Sequence, residues 1–330
     1  MSSWFNLGLN DKKVVLQQTA EKEGIPELAI EKDCWVTIVL KALFSCSCND
    51  FLLFKGGTSL SKGWGLIQRF SEDIDIALDK SFFEIDAENK SQIDKLKKKS
   101  RKYIKENLMP ELKQKLIEQG VDCFDIEFIE TTDSDVDPSV INIIYSSIFE
   151  STMNYIRNIV KIEISCLSLS DPNETIKISS IVNKYYTDFD TDSCCNIKTV
   201  LPARTFLEKI FLLHEEFQKD NPRCERMSRH LYDLEKLMDV TEVIDSLNNK
   251  ELYNTIVSHR EKFYSLKYVD YSKHSPELIN IIPNENIYKK WEDDYSEMKK
   301  TFIYGDSLSF DRLIARINEL QDRIHNLKNK

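Results

Sequence analysis

Two aspartates, Asp73 and Asp75, stand in Asp73-Ile-Asp-Ile-Ala-Leu78, where polar and apolar residues alternate. A period of two marks a half-buried strand, on which residues i and i+2 face the same way. The two carboxylates therefore sit side by side while Ile74 and Ile76 turn to the core. Carboxylates that close repel unless a cation lies between them. Mg²⁺, a hard ion held by carboxylates together with phosphate oxygens and water, suits that place. Upstream, Phe51-Leu-Leu-Phe-Lys-Gly-Gly-Thr-Ser-Leu60 reads as a short buried strand stopped by Gly56 and Gly57, then a helix start. Glycines let the backbone approach a ligand, and the first N–H groups, at Thr58 and Ser59, would point at an anion. In Lys161-Ile-Glu-Ile-Ser165, alternation sets a third acid, Glu163, opposite Ile162 and Ile164. If that strand lies beside the first, three acids converge on a two-metal site. A phosphate cradle beside such acids equips a protein for phosphoryl or nucleotidyl transfer.

The elements that must position these residues can be read from periodicity. Apolar residues at helical spacing, Ile30, Cys34, Trp35, Ile38, Val39, Ala42 and Leu43, predict a packed helix over 27–46, after a shorter one at 12–20. A charged helical stretch is expected between 94 and 119, and strands at 124–129, 140–145 and 159–164. Strand signals nearly vanish after residue 200, where helices are expected at 203–217, 227–238, 241–262, 285–301 and 308–328. Strands with helices, then helices alone, argue an α+β fold. A mixed-sheet domain over residues 1–198 would precede an all-helical domain over 199–330, with the active site in the cleft between them.

Lys55-Gly-Gly-Thr-Ser-Leu-Ser-Lys62 followed by Arg69-Phe-Ser-Glu-Asp-Ile-Asp75 resembles the glycine and Asp-x-Asp motifs of DNA polymerase β-type nucleotidyltransferases. More specifically, it resembles the AbiEii/AbiGii toxin family. Ile30-Glu-Lys-Asp-Cys-Trp-Val-Thr37 is similar to that family's N-terminal helix, and Phe302-Ile-Tyr-Gly-Asp-Ser-Leu-Ser-Phe310 to a segment near its end. Ala203-Arg-Thr-Phe-Leu-Glu-Lys209 resembles its helix with a functional lysine, and Arg229-His-Leu-Tyr-Asp233 its segment with a further aspartate. Three departures stand out: Gly57 where many relatives have Ser, His230 where some have Asp, and a longer gap from Gly57 to Asp73. The resemblance implies a polymerase β-like domain and transfer of a nucleotide from an NTP to a hydroxyl, such as a tRNA 3′ end or another RNA. It further implies a toxin with an antitoxin partner, acting in phage defence or growth arrest. Asp73, Asp75 and Glu163 would hold two Mg²⁺ ions, or Mn²⁺. Gly56, Gly57, Thr58, Ser59, Arg69, Lys209 and Asp233 would bind the nucleotide.

Other readings weigh against these. An Asp-x-Asp pair also serves glycosyltransferases that use nucleotide-sugars, and a degenerate fold could only dock a partner. Asp133-Ser-Asp135 sits in a polar stretch and reads as a solvated loop. The net charge of −10 gives RNA binding no help, so it would need a local patch. The basic run from Lys95 to Lys105 is the candidate, although such runs are usually solvated helix faces. The eight cysteines form no Cys-x-x-Cys pair and read as reduced thiols, mostly core fillers. No leader and no membrane span are expected, which implies the cytoplasm.

Overall fold

A computed structural model of the chain describes residues 7–71, 73–121, 123–133, 136–149, 157–187 and 194–327. Residues 1–6, read above for a leader, and Asp135 lie outside the described residues. The chain forms two compact units, Met1–Gly63 with Phe70–Val200, and Trp64–Arg69 with Leu201–Lys330.

The first unit is built on a seven-stranded mixed sheet. Its strands are β1 (Leu52–Lys55), β2 (Asp73–Leu78), β3 (Phe124–Phe128), β4 (Ser139–Tyr145), β5 (Ile159–Ser165), β6 (Asn173–Ile178) and β7 (Cys195–Val200), in the order β3-β4-β5-β2-β1-β7-β6. Its helices are α1 (Leu9–Glu23), α2 (Glu27–Leu43), the single turn α3 (Gly56–Thr58), α4 (Lys90–Tyr103) and α5 (Met109–Glu118). β2 lies between β1, antiparallel, and β5, parallel. Ile74, Ile76, Ile141, Ile143, Ile162 and Ile164 are all fully buried on one face of the sheet. Alternation turns Asp73, Asp75, Lys161 and Glu163 to the other face, where all four are half-buried. The apolar face is covered by α2, which packs on β5, and α5, which packs on β3.

α2 is buried on nearly every side, beyond the one-sided stripe its sequence suggests. Buried charges must be paired, and those of α2 are. Glu31 accepts from the Ser147 hydroxyl at 2.6 Å and the Ile148 N–H at 2.8 Å. Lys32 donates to the Arg157 carbonyl at 3.1 Å. Asp33 accepts from the Ile181 N–H at 2.7 Å and from the Lys62 ammonium. That last bond ties α2 to the end of the glycine turn.

The second unit is helical, with α6 (Pro202–Glu216), α7 (Ser228–Leu237), α8 (Thr241–Ile244), α9 (Lys250–His259), α10 (Glu285–Thr301) and α11 (Phe310–His325). α7 packs against α6, α10 and α11. The helix expected over 241–262 is broken, because a tight turn at Asp245–Asn248 follows α8 and the Asn249 side chain caps α9. The segment Trp64–Arg69 belongs here through its backbone. The N–H groups of Tyr304 and Gly305 donate to the Gln68 carbonyl at 3.1 and 3.3 Å. Gly305 is needed for this fit, since a Cβ there would meet Gln68 Oε1 at 1.9 Å. Among the described residues, no helix is long and apolar enough to cross a membrane. Four of the eight cysteines are buried and Cys123 is exposed, so the core-filler reading covers half of them.

Candidate active site

Pairing register brings the first three acids together. In the parallel β2–β5 ladder, Asp75 stands opposite Glu163 and Asp73 opposite Lys161. In the antiparallel β1–β2 ladder, Lys55 stands opposite Asp75. Paired positions share a face, so Asp73, Asp75 and Glu163 lie side by side as the alternation implies. Gly56 follows directly and packs against Asp75. Its φ is +78°, a left-handed conformation open to glycine, and a Cβ there would meet Asp75 Oδ2 at 2.0 Å. The glycine turn and the acidic strand are therefore one local structure.

Hydroxyls hold that turn to the strand. The Thr58 hydroxyl lies between Ser71 Oγ, at 2.7 Å, and the Asp73 carbonyl oxygen. Ser59, expected to meet a phosphate, is fully buried, and its N–H and its hydroxyl (2.9 Å) both donate to the Gly56 carbonyl. Ser59 thus secures the turn. Main-chain N–H groups at the start of a helical turn have no acceptor within it, so the N–H groups at Gly57 and Thr58 are the donors the turn can offer.

The chemistry of Asp73 and Asp75 suits a hard divalent cation that completes its shell with phosphate oxygens and water. The third acid is otherwise engaged. Glu163 forms an ion pair with Lys161, its neighbour at i−2 on the same face. Among the described residues, no three acids, histidines or cysteines are grouped so as to hold a metal ion. Burial disfavours the Lys161 ammonium, but Glu163, Asp73 and Asp75 together outweigh it and raise its pKa.

The second unit holds a separate cluster. Arg69 grips Asp233 with two bonds, Nε to Oδ1 at 2.7 Å and Nη2 to Oδ2 at 2.8 Å. Lys209 Nζ lies 2.8 Å from Oδ2 of the same carboxylate. All three are buried, and Asp233 completely. Burial alone would raise the Asp233 carboxyl, but the two cations hold it well below the usual carboxylate range. Burial lowers the Lys209 pKa against the opposing pull of Asp233. Burial, and then the charges of Lys209 and Arg229, hold the pKa of buried His230 well below its ordinary value. Arg69 and Lys209 thus share the one carboxylate of Asp233.

Four charged residues near these elements are not singled out by the sequence: Lys161, Asp137, Asp33 and Lys62. Lys161 carries the same alternation signal as Glu163 and could have been found by it. Asp137 accepts from the Ser165 hydroxyl and from the Cys166 N–H at 2.9 Å, just beyond β5, with its carboxyl raised by burial. The Asp33–Lys62 pair has no local sequence signal. Four cations of the basic run stand in ion pairs with three acids. Lys97 pairs with Asp94, Lys102 with Glu106, and Arg101 and Lys105 with Glu130.

The solved structure of MenT4, a nucleotidyltransferase toxin from Mycobacterium tuberculosis H37Rv, is similar over 95% of this chain and 99% of that one, at 15% identity and a TM-score of 0.44. No curated protein sequence matches the chain. The family model described as "Nucleotidyl transferase AbiEii toxin, Type IV TA system" matches residues 38–316, a span that holds the glycine turn, the acidic strands and the Arg69–Asp233–Lys209 cluster. The chain belongs to the AbiEii family of nucleotidyltransferase toxins.

Proposed function

We propose that this nucleotidyltransferase toxin moves a nucleotide from an NTP to the 3′-hydroxyl of an RNA, with tRNA as the acceptor class, in a reaction that depends on Mg²⁺. The observation that carries the reading is Asp73 and Asp75 side by side on β2, with Gly56 packed against Asp75 and Glu163 opposite it in register. Asp73 and Asp75 would hold the divalent ion, Mg²⁺ or Mn²⁺, with Glu163 as the third candidate ligand. When bound, the ion neutralises triphosphate charge and lowers the pKa of the attacking hydroxyl.

The chain's own residues do the rest. Gly56 and Gly57 let the backbone approach the phosphates, and the N–H groups of Gly57 and Thr58 donate to them. Ser59 and the Thr58 hydroxyl keep the turn in place. In the second unit, Arg69 and Lys209 are the proposed nucleotide contacts, and Asp233 orients both. Fixed cations of this kind stabilise developing negative charge without reorganising.

The test is incubation of the full chain with total RNA, Mg²⁺ and each labelled NTP in turn. Label is expected in one RNA size class, from one or two of the nucleotides, and to fall at least about a hundredfold in Asp73→Asn and Asp75→Asn variants. Transfer from a labelled nucleotide-sugar instead would identify a glycosyltransferase. Full toxicity in both variants would leave only the partner-docking reading.

A further inference from the structure

We propose that Lys161 is a resident cation of the acidic face and competes with a divalent ion for Glu163, so that Glu163 becomes a metal ligand only when the Lys161 ammonium moves away. This rests on the reading of Asp73 and Asp75 as the ion's holders.

The geometry is specific. Register sets Lys161 beside Asp73 and sets Glu163 beside Asp75. The Lys161 ammonium is bonded to the Glu163 carboxylate, on the face that Asp73 and Asp75 share. Without a cation, three carboxylates at neighbouring sheet positions would repel one another. A lysine at i−2 from the third acid supplies that charge from within the chain.

The arrangement is reversible. The Lys161 side chain keeps 40% of its exposure and that of Glu163 28%, so the pair is partly solvated and its attraction is screened. A flexible four-carbon stem lets the ammonium leave without backbone movement. A divalent ion brings twice the charge of the ammonium to the same carboxylates. Lys161 therefore lowers the site's affinity for metal in two ways: it occupies one ligand, and it repels the incoming ion.

The experiment measures Mn²⁺ binding to the full chain by calorimetry without nucleotide, so that turnover plays no part. Lys161→Gln should bind Mn²⁺ roughly five- to tenfold more tightly than the unaltered chain. Lys161→Arg, which keeps the charge, should not gain. Adding Glu163→Gln to Lys161→Gln should remove the gain. Glu163→Gln alone should stay within about twofold of the unaltered chain, because Lys161 already withholds that carboxylate. An unchanged affinity in Lys161→Gln, with binding still abolished by Asp73→Asn, overturns the role of Lys161 and leaves the metal reading standing. A loss of about tenfold in Glu163→Gln alone shows that Glu163 already serves as a ligand, and overturns the proposal in the same way. No Mn²⁺ binding by either the unaltered chain or Lys161→Gln overturns both readings together.

Discussion

Asp233 is fully buried with each of its oxygens bonded to a cation, which sets its role as the anchor of Arg69 and Lys209. A carboxylate inside such a cluster acts by orienting the cations, since it has no face left for a ligand. Removing its charge leaves two buried cations uncompensated, a change that costs on the order of 3–5 kcal/mol. Asp233→Asn, nearly isosteric, should therefore lower folding stability at pH 7 by about that amount. The pH dependence follows from the direction of the shift. A carboxyl held below its unfolded value contributes stability that is complete above about pH 5 and is lost as pH falls towards its folded pKa. The gap between Asp233→Asn and the unaltered chain should thus be widest at neutral pH and narrow at pH 3. Urea denaturation at the two pH values measures it, and an equal gap at both would contradict the ionised, doubly bonded Asp233.

At the scale of elements, the site is a product of strand periodicity. Over residues 73–76 and 161–164, β2 and β5 alternate fully buried isoleucines with half-buried charged residues, and the parallel register then aligns the acids. That is why Asp73, Asp75 and Glu163 could be read from sequence: a period of two fixes the face of every residue once the strand is recognised. The same logic explains what was not legible. β6, Asn173–Ile178, is an edge strand with mostly polar, partly exposed residues, so it lacks an apolar signature. In β7 the inward positions include Thr199 beside Ile197, which mutes the contrast. The link of Arg69 to Asp233 spans 164 residues, and no local pattern encodes it. The two faces of β2 make opposite predictions. Ile76→Ala, on the buried face, should cost about 2–5 kcal/mol of stability. Asp73→Asn, on the half-exposed face, should change stability by less than about 1 kcal/mol. Equal losses in chemical denaturation of the two variants would show that the face assignment is wrong.

For the whole molecule, the arrangement of the chain matters more than the residue at which strands give way to helices. The helical unit is discontinuous, because it includes Trp64–Arg69 as well as everything from Leu201 onward. That short segment supplies the guanidinium that grips Asp233 and the carbonyl that receives the Tyr304 and Gly305 N–H groups. In the sequence, three residues separate its Arg69 from the start of β2 at Asp73. A fragment containing only residues 201–330 would keep Lys209 and Asp233 but lack Arg69. Two hydrogen bonds to a buried charge contribute roughly 1.5–3 kcal/mol each, against about 5–15 kcal/mol for the stability of an entire domain. The fragment should therefore lose on the order of 3–6 kcal/mol from these bonds alone. It should give a broad or low-temperature transition by circular dichroism, with poor dispersion of its amide signals. In the full chain, Arg69→Met should reproduce part of that loss while leaving the Gln68 backbone bonds in place. A sharp, stable transition in the isolated fragment would mean that the helices complete their core unaided, and that Arg69 is held at Asp233 for its chemistry rather than for the fold.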